Sequence, residues 1–483
     1  MRSRTTLPLS FNRLDFLPNS SDWQILNASV DGRLISAQPS AAVCESTPPN
    51  VDACNIAKAQ WSNASWRSDQ VGAMQNSNWE NGSCSIIPDN ISCTQGSVPI
   101  YAVNAILPEH VQTTIRFASR RNLRLAIKTT GHDYYVSCID EAVSYAVRVG
   151  AGVQWGEVYA WLAQYNLIAI GGASSTVGAA GGYLQGGADG QRRTVNDCQN
   201  ADLFWALRGG DGGTFAIVLS VVLRAFPSPS ILVTYYNFAA PNEDRYATFL
   251  RDFIRLIPTL ADDGWSGYFY ISDTNISTTL VCPNSNITEV NETFDKFLNN
   301  NTDLQIIHPS ALSFPSFYEF FYNAFTQYNP AGINVLLGSR LIPESIVRNQ
   351  PDQLAKIFNQ IKGQSHNQSI LVGHLVAGGQ VSHVRNTSAN PVWRTSLLHM
   401  AYAQFWSDGT SLNDQQKHAE HVRNQVNILQ TMVGGDQSGC YMNEADPNEP
   451  DWQQKYFGTQ AIYDRRKTIK QTVDPSGLFI CRK

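Results

Sequence analysis

From residue 99 onward the apolar positions fall into short, separable periods. Residues 100–105 alternate as a strand would, 108–121 repeat with helical spacing behind a Pro-Glu-His start, and 123–128 again read as a strand. That order predicts a βαβ unit, and such units gather ligand groups at the carboxyl ends of their strands. Thr129-Thr130-Gly131-His132-Asp133 stands at that end. A strand over 145–149 and a helix over 155–165 follow, after which glycine takes over, with eight of the twenty residues in 171–190. Val177, Tyr183 and Leu184 between those glycines speak for closely packed backbone rather than a flexible linker. A third cluster, Gly209, Gly210, Gly212 and Gly213, leads into a predicted strand over 216–224, and Pro227-Ser-Pro229 marks a boundary.

Beyond it, strand-like runs at 231–236, 267–272, 369–377 and 397–405 alternate with helical ones, the pattern of an α+β domain. Its aromatic run, Phe314, Phe317, Tyr318, Phe320, Phe321, Tyr322 and Phe325, reads mainly as core, with a few rings left for a substrate pocket. Residues 1–95 differ: they are rich in Asn, Ser and Pro and predict short helices in irregular structure, held to a neighbouring domain by Trp61, Trp66 and Trp79. A final helix is expected in the tail, and no internal repeat is present.

Composition narrows the partners. With 16% charged residues and a formal net charge of −5, the chain has no basic field for a polyanion, which excludes nucleic acid as a natural ligand. No stretch approaches the roughly 18 uninterrupted apolar residues of a membrane span. Cys44, Cys54, Cys84 and Cys93 form two close pairs in the core-poor N-terminal segment, where local disulfides would staple it; free buried thiols are the other reading. Eleven Asn-x-Ser/Thr sequons suit a glycosylated, secreted surface. The basic N-terminus breaks at Pro8 and Ser10 before any apolar h-region, so no signal peptide is visible and the expectation is that the chain begins upstream of this sequence.

Several chemistries are excluded by pattern. No glycine cluster is followed by Lys-Ser/Thr, and Gly-x-Gly-x-x-Gly is absent, which leaves separate glycine turns able to bring backbone N–H groups to one pyrophosphate. There is no Gly-x-Ser-x-Gly elbow. His132 alone is an ordinary loop histidine. His418 and His421 lie three apart beside Lys417, Glu420 and Arg423 and read as a solvated helix face, so no metal site is predicted.

Taken in order, the motifs are more specific than any one of them. Lys128-Thr-Thr-Gly131-His132-Asp133, then Thr176-Val-Gly-Ala-Ala-Gly-Gly, then Asp202-Leu-Phe-Trp-Ala-Leu-Arg-Gly-Gly, with Asn390-Pro-Val-Trp393-Arg394, Tyr441-Met-Asn443-Glu-Ala-Asp446 and Asp474-Pro-Ser-Gly477, resemble the vanillyl-alcohol-oxidase type flavin domain and, within it, the fungal berberine-bridge-enzyme-like proteins. The resemblance implies an α+β fold: a two-part FAD-binding domain with βαβ-containing small sheets over 96–228, an antiparallel substrate domain covered by helices over 229–430, the loop-rich segment 1–95 packed on the flavin domain, and a segment 431–483 returning to it. It implies FAD carried covalently on His132. Thr130, Gly131, Asp133, Ser174, Thr176, Val177, Gly178, Gly181 and Gly182 would line the cofactor, Gly213, Phe215 and Ile217 would add backbone contacts from the strand entry, and Asn443 would return from the tail.

Tyr441 matches the tyrosine that takes a proton from substrate; with an ordinary pKa near ~10 it needs surroundings that stabilise its anion. The cofactor would accept a hydride and be reoxidised by molecular oxygen. The expected partner is a small molecule of fungal secondary metabolism met by a monomeric enzyme, with oxidative ring closure of an indole alkaloid one form and carbohydrate or alcohol oxidation the alternative. Ser174 stands where bicovalent members have cysteine, so a second covalent bond is not expected. The interval 133–149 and the junction Gly187-Ala188-Asp189-Gly190 are shorter than the family pattern, which leaves open an incomplete gene model or a non-catalytic glycoprotein.

Overall fold

The computed structural model describes residues 18–45, 50–75, 84, 86, 93–121, 123, 125–128, 130, 145–180, 193–210, 214–286, 294–325, 331–364, 368–434, 438–475 and 477. Twelve strands among them form three sheets. β1 (Leu34–Ser36) pairs antiparallel with β2 (Tyr101–Val103), and β3 (Tyr145–Gly150), β5 (Ser220–Pro227) and β4 (Leu167–Ala169) form a three-stranded antiparallel sheet with β5 in the middle. The third sheet contains β6 (Ile231–Ala239), β7 (Ser266–Ile271), β8 (Asn275–Pro283), β9 (Gln305–Phe314), β10 (Asn334–Pro343), β11 (Ser369–Leu375) and β12 (Ser396–Trp406), in the order β10-β12-β11-β7-β8-β6-β9.

Alternation decides how the large sheet is used. The helices Glu243–Asp262, Pro351–Ile361 and Leu412–Val433 cover one face, and Phe269, Ile271, Leu371, Leu375, Leu398, Met400 and Tyr402 point into the core beneath them. Because side chains alternate along a strand, the residues between these face the other way. Antiparallel register therefore lines up Tyr268, His374 and His399 side by side on the face away from the helices.

Near the small sheet, the helix Trp155–Ala163 buries Trp155 against Tyr159, which in turn meets the edges of Phe317 and Phe321. Much of the aromatic run thus serves as core, as its spacing suggests. A side chain at Gly171 would place its Cβ 2.4 Å from the Trp155 ring, so this glycine is required by close approach. At the N-terminal end the two expected disulfides form, Cys44–Cys54 and Cys84–Cys93, a pairing that persists in oxidising compartments. Trp61 and Trp66 pack beside the second, and Trp79 lies outside the described residues. No described helix is long and apolar enough to cross a membrane.

Three sequence expectations need correction. The described residues of 123–128 are not in a strand, and β2 pairs with β1 instead, so no βαβ unit forms there among the described residues. Leu123, Leu125 and Ile127 still pack on Ile115 and Ala118 of the helix Pro108–Arg120; burial was the signal in the sequence, and burial does not require a ladder. The strand expected over 216–224 runs from Ser220, because its partners β3 and β4 fix the register. His418 and His421 are not a purely solvated face: His418 stacks on Trp406, and His421 Nε2 is 2.9 Å from the Tyr402 hydroxyl.

Candidate functional site

One half of the site is a cradle of hydroxyls and backbone. Thr130 is only 2% exposed. Its carbonyl accepts from Ser68 Oγ (3.2 Å) and Gln75 Nε2 (3.1 Å), and its Oγ1 accepts the Gly178 N–H (3.1 Å). Just before it, Lys128 Nζ donates to the carbonyls of Arg67, Ser68 and Gln70, which close the C-terminal end of the helix Ala64–Asp69 and favour a cation there. The run 174–179 is held by the segment entering the helix Trp155–Ala163. Trp155 and Gly156 N–H groups donate to Val177 and Ser175 carbonyls at 2.9 and 2.8 Å, and Ala179 N–H donates to Val153 at 2.8 Å. Ser174 Oγ and Thr176 Oγ1 lie 3.4 Å apart.

Thr130, Ser174, Thr176, Val177 and Gly178 are therefore brought to one place. The Phe215 ring is core, packed with Leu203, Trp205, Ile469 and Val473, which leaves its backbone as what it could offer a cofactor. Ile217 packs with Ile115 on the helix Pro108–Arg120. Gly131, His132, Asp133, Gly181, Gly182 and Gly213 lie outside the described residues. The tail helix Gln460–Val473 ties this half to the large domain, with the Arg466 guanidinium donating to the carbonyls of Gly209 and Ser388. The Trp155, Gly156, Val177, Gly178 and Ala179 N–H groups are used within the protein to shape this cradle, so what it offers a diphosphate is the hydroxyls of Thr130, Ser174 and Thr176, with no carboxylate among the described residues gathered here.

The other half stands on the open face of the large sheet. Gly439 accepts the Leu341 N–H (2.9 Å) at the free edge of β10, the buried pair Arg340–Glu449 (2.9 Å) joins the same strand to the tail, and the Lys455–Ser438 bond (2.6 Å) closes the tail on itself. This docking sets Tyr441 edge-on to His399 (centroids 5.5 Å) and to Trp393 (5.8 Å), while Asn443 Nδ2 lies 3.4 Å from the Tyr441 hydroxyl. Edge-to-face contacts continue through His399–His374 (4.8 Å) to His374–Tyr268 (4.6 Å).

Glu444 completes the group. One of its oxygens is 3.7 Å from His374 Nε2 and 3.7 Å from His399 Nδ1. Desolvation governs all three: it pushes the Glu444 carboxyl up to about 7, pulls His374 down to about 4, and holds His399, with a contribution from His374, well below the usual imidazole range. Their candidate ligand atoms lie within 4.8 Å of one another. Two ligands of one zinc ion at ~2.1 Å can be no more than about 4.2 Å apart, so the group is too open for zinc as it stands. His374, His399 and Tyr268 carry no signal in spacing; only strand register unites them. Glu444 sits inside the Tyr441–Asp446 motif and could have been singled out there.

Comparison with known proteins identifies the family. Residues 440–482 match the family described as berberine and berberine-like. An FAD-linked oxidoreductase of Arthroderma benhamiae, itself uncharacterised, is 33% identical, over 96% of this chain and 91% of that one. The chain belongs to the berberine-bridge-enzyme-like FAD-linked oxidoreductases. The oxidoreductase is also 29% identical to FAD-linked oxidoreductase patO of Aspergillus clavatus, over 96% of this chain and 89% of that one. In three dimensions it is similar to the VAO-type flavoprotein MtVAO615 of Myceliophthora thermophila, with a TM-score of 0.84, 25% identity, and coverage of 96% and 94%. FAD is thus the cofactor, and the α+β architecture is that of VAO-type flavoproteins. The alignment with the Arthroderma relative spans 543 positions against 483 residues here, so that relative carries segments this oxidoreductase lacks.

Proposed function

We propose that this oxidoreductase oxidises a small molecule with FAD attached to His132, and that Tyr441 assists by taking a proton from the substrate. The observation that carries the reading is the docking of the tail, which brings Tyr441 against His399 and Trp393 with Asn443 beside its hydroxyl. Supporting it on the cofactor side, Thr130 Oγ1 receives the Gly178 N–H, so the segment leading into Gly131-His132 and the run 174–178 form one cradle. Thr130, Ser174, Thr176 and Gly178 would hold the diphosphate, with Gly131, Asp133, Gly181, Gly182 and Gly213 extending the same lining. FAD bound there supplies the two-electron acceptor and is regenerated by oxygen with release of peroxide. The chain's own part is to orient the substrate against Trp393 and Tyr441 and to keep water from the reacting carbon. Ser174 in place of a cysteine leaves a single covalent link.

The test is direct. Purified protein should precipitate yellow in acid, with the colour fixed to the polypeptide, and His132→Ala should release its flavin under the same treatment. Acid-stable colour in His132→Ala would move the attachment to another residue, and a folded wild type without flavin would remove the reading altogether.

A further inference from the structure

Two buried groups on the open face of the large sheet lack what burial normally demands. His399 has no hydrogen-bond partner at either ring nitrogen, although its side chain is only 1% exposed. Glu444 lacks a counter-charge. Buried carboxylates are paired with a cation or bind a metal, yet no lysine or arginine pairs with this one among the described residues, and desolvation holds its carboxyl up with nothing to offset it. The same burial keeps the His374 and His399 rings neutral, the form in which an imidazole ligates a metal.

Geometry supplies the place. One Glu444 oxygen is 3.7 Å from His374 Nε2 and 3.7 Å from His399 Nδ1, and the three candidate ligand atoms all lie within 4.8 Å of one another. A point therefore lies about 2.4 Å or less from each of them, against the ~2.0–2.1 Å at which zinc holds nitrogen and oxygen. The shortfall of about 0.3 Å per ligand is smaller than the ~0.5 Å per axis that a well-ordered atom moves thermally. The group that is too open at rest would close on an ion with small rotations of Glu444 and His374. In the plane of the three atoms there is room for an ion but not for a bridging water, whose oxygen keeps ~2.8 Å from its partners.

We infer that His374, His399 and Glu444 form a site for one divalent first-row metal ion of the zinc class. Two imidazoles and one carboxylate suit Zn2+, Co2+ or Fe2+, whereas Mg2+ and Ca2+ take mainly oxygen. Three protein ligands leave a fourth position, and the 11% and 14% exposure of His374 and Glu444 opens it to solvent. The role of the ion is positional. Its ligands come from β11, from β12 and from the tail, so it would tie the segment that carries Tyr441 and Asn443 to the interior of the sheet, beyond the bond that Gly439 makes at the β10 edge. The site stands apart from the flavin reading and needs no contact with the cofactor.

The experiment takes the untagged full chain as purified, strips it with EDTA, and titrates Zn2+ by calorimetry and Co2+ by absorbance with the flavin spectrum subtracted. One equivalent should bind, and Co2+ should show the intense visible bands of a low-coordinate ion rather than the faint ones of the hydrated ion. Glu444→Gln, which keeps the shape of the side chain, should weaken Zn2+ by at least the ~10–100-fold that loss of an outer partner costs, and His374→Ala by as much. His418→Ala, at the stack on Trp406, should leave the affinity unchanged. Zn2+ should raise the thermal midpoint of the wild type and not that of Glu444→Gln. Far-UV circular dichroism checks that each variant is folded, and Glu444→Gln decides alone if His374→Ala is not. No saturable binding of either ion, equal affinity in wild type and folded Glu444→Gln, or a Co2+ spectrum of the hydrated type would each overturn the inference. A colourless protein that still binds the ion would sink the flavin reading and leave this one standing.

Discussion

Replacing Glu444 with glutamine should stabilise the protein in alkaline solution and do little in acid. The carboxyl titrates at about 7 in the folded chain against 4.5 when solvated, because folding removes it from water among His374, His399 and Tyr270. The folded value is the higher one, so the contribution of this group is whole below about 4.5 and is lost as pH rises through about 7. At ~1.4 kcal/mol per unit, the full window amounts to about 3 kcal/mol. Glutamine keeps the shape and cannot ionise, so the variant escapes that loss. His374 and His399 titrate in the opposite sense, losing stability as pH falls, and they do so in both proteins. The measurement is the urea midpoint, followed by tryptophan fluorescence at about pH 5 and about pH 8.5, for wild type and Glu444→Gln. The variant should gain about 2–3 kcal/mol relative to wild type between the two conditions. A difference that does not change with pH would show that Glu444 is solvated and ionised as an ordinary carboxylate, and the reasoning about the cluster would fail with it.

Two further outcomes follow from packing and charge. Gly209→Ala should lower stability by about 2 kcal/mol or more, since Gly209 has φ +130° and a Cβ there would sit 2.2 Å from the Ala389 nitrogen; an unchanged thermal midpoint would refute the close approach. Arg340→Ala should cost about 3–5 kcal/mol by stranding Glu449 in the interior, whereas Arg340→Met with Glu449→Leu should recover most of it; equal urea midpoints for the single and double variants would refute the buried pair.

How much of this was legible in the sequence differs by level. The strands at 231–239, 266–271, 369–375 and 396–406 showed in the alternation because one face of their sheet is buried under helices. The two disulfides showed because their partners lie 10 and 9 residues apart in a segment with little other core. Residues 123–128 misled because apolar spacing reports burial and not the identity of a hydrogen-bonding neighbour. The place of the Phe215 ring in the core beneath the tail helix had no signal in the spacing around it, because its partners Ile469 and Val473 lie about 250 residues on.

The sequence by itself determined the family, through ordered motifs of neighbouring residues: the glycine runs, Thr130-Gly131-His132-Asp133, and the Tyr441–Asp446 segment. It also determined that there would be a helix-covered sheet. What lies on the open face of that sheet was decided only by tertiary structure. His374 and His399 are 25 positions apart in a chain with nine histidines, and no spacing rule joins them. They meet because β11 and β12 pair in one particular register, and a slip of one residue would turn either of them into the core. Glu444 and Tyr441 reach them because a tail docks on the edge of β10 about a hundred residues from its sequence neighbours in the sheet. Local motifs are written in neighbouring residues, whereas a site made across strands exists only once long-range pairing has selected its register.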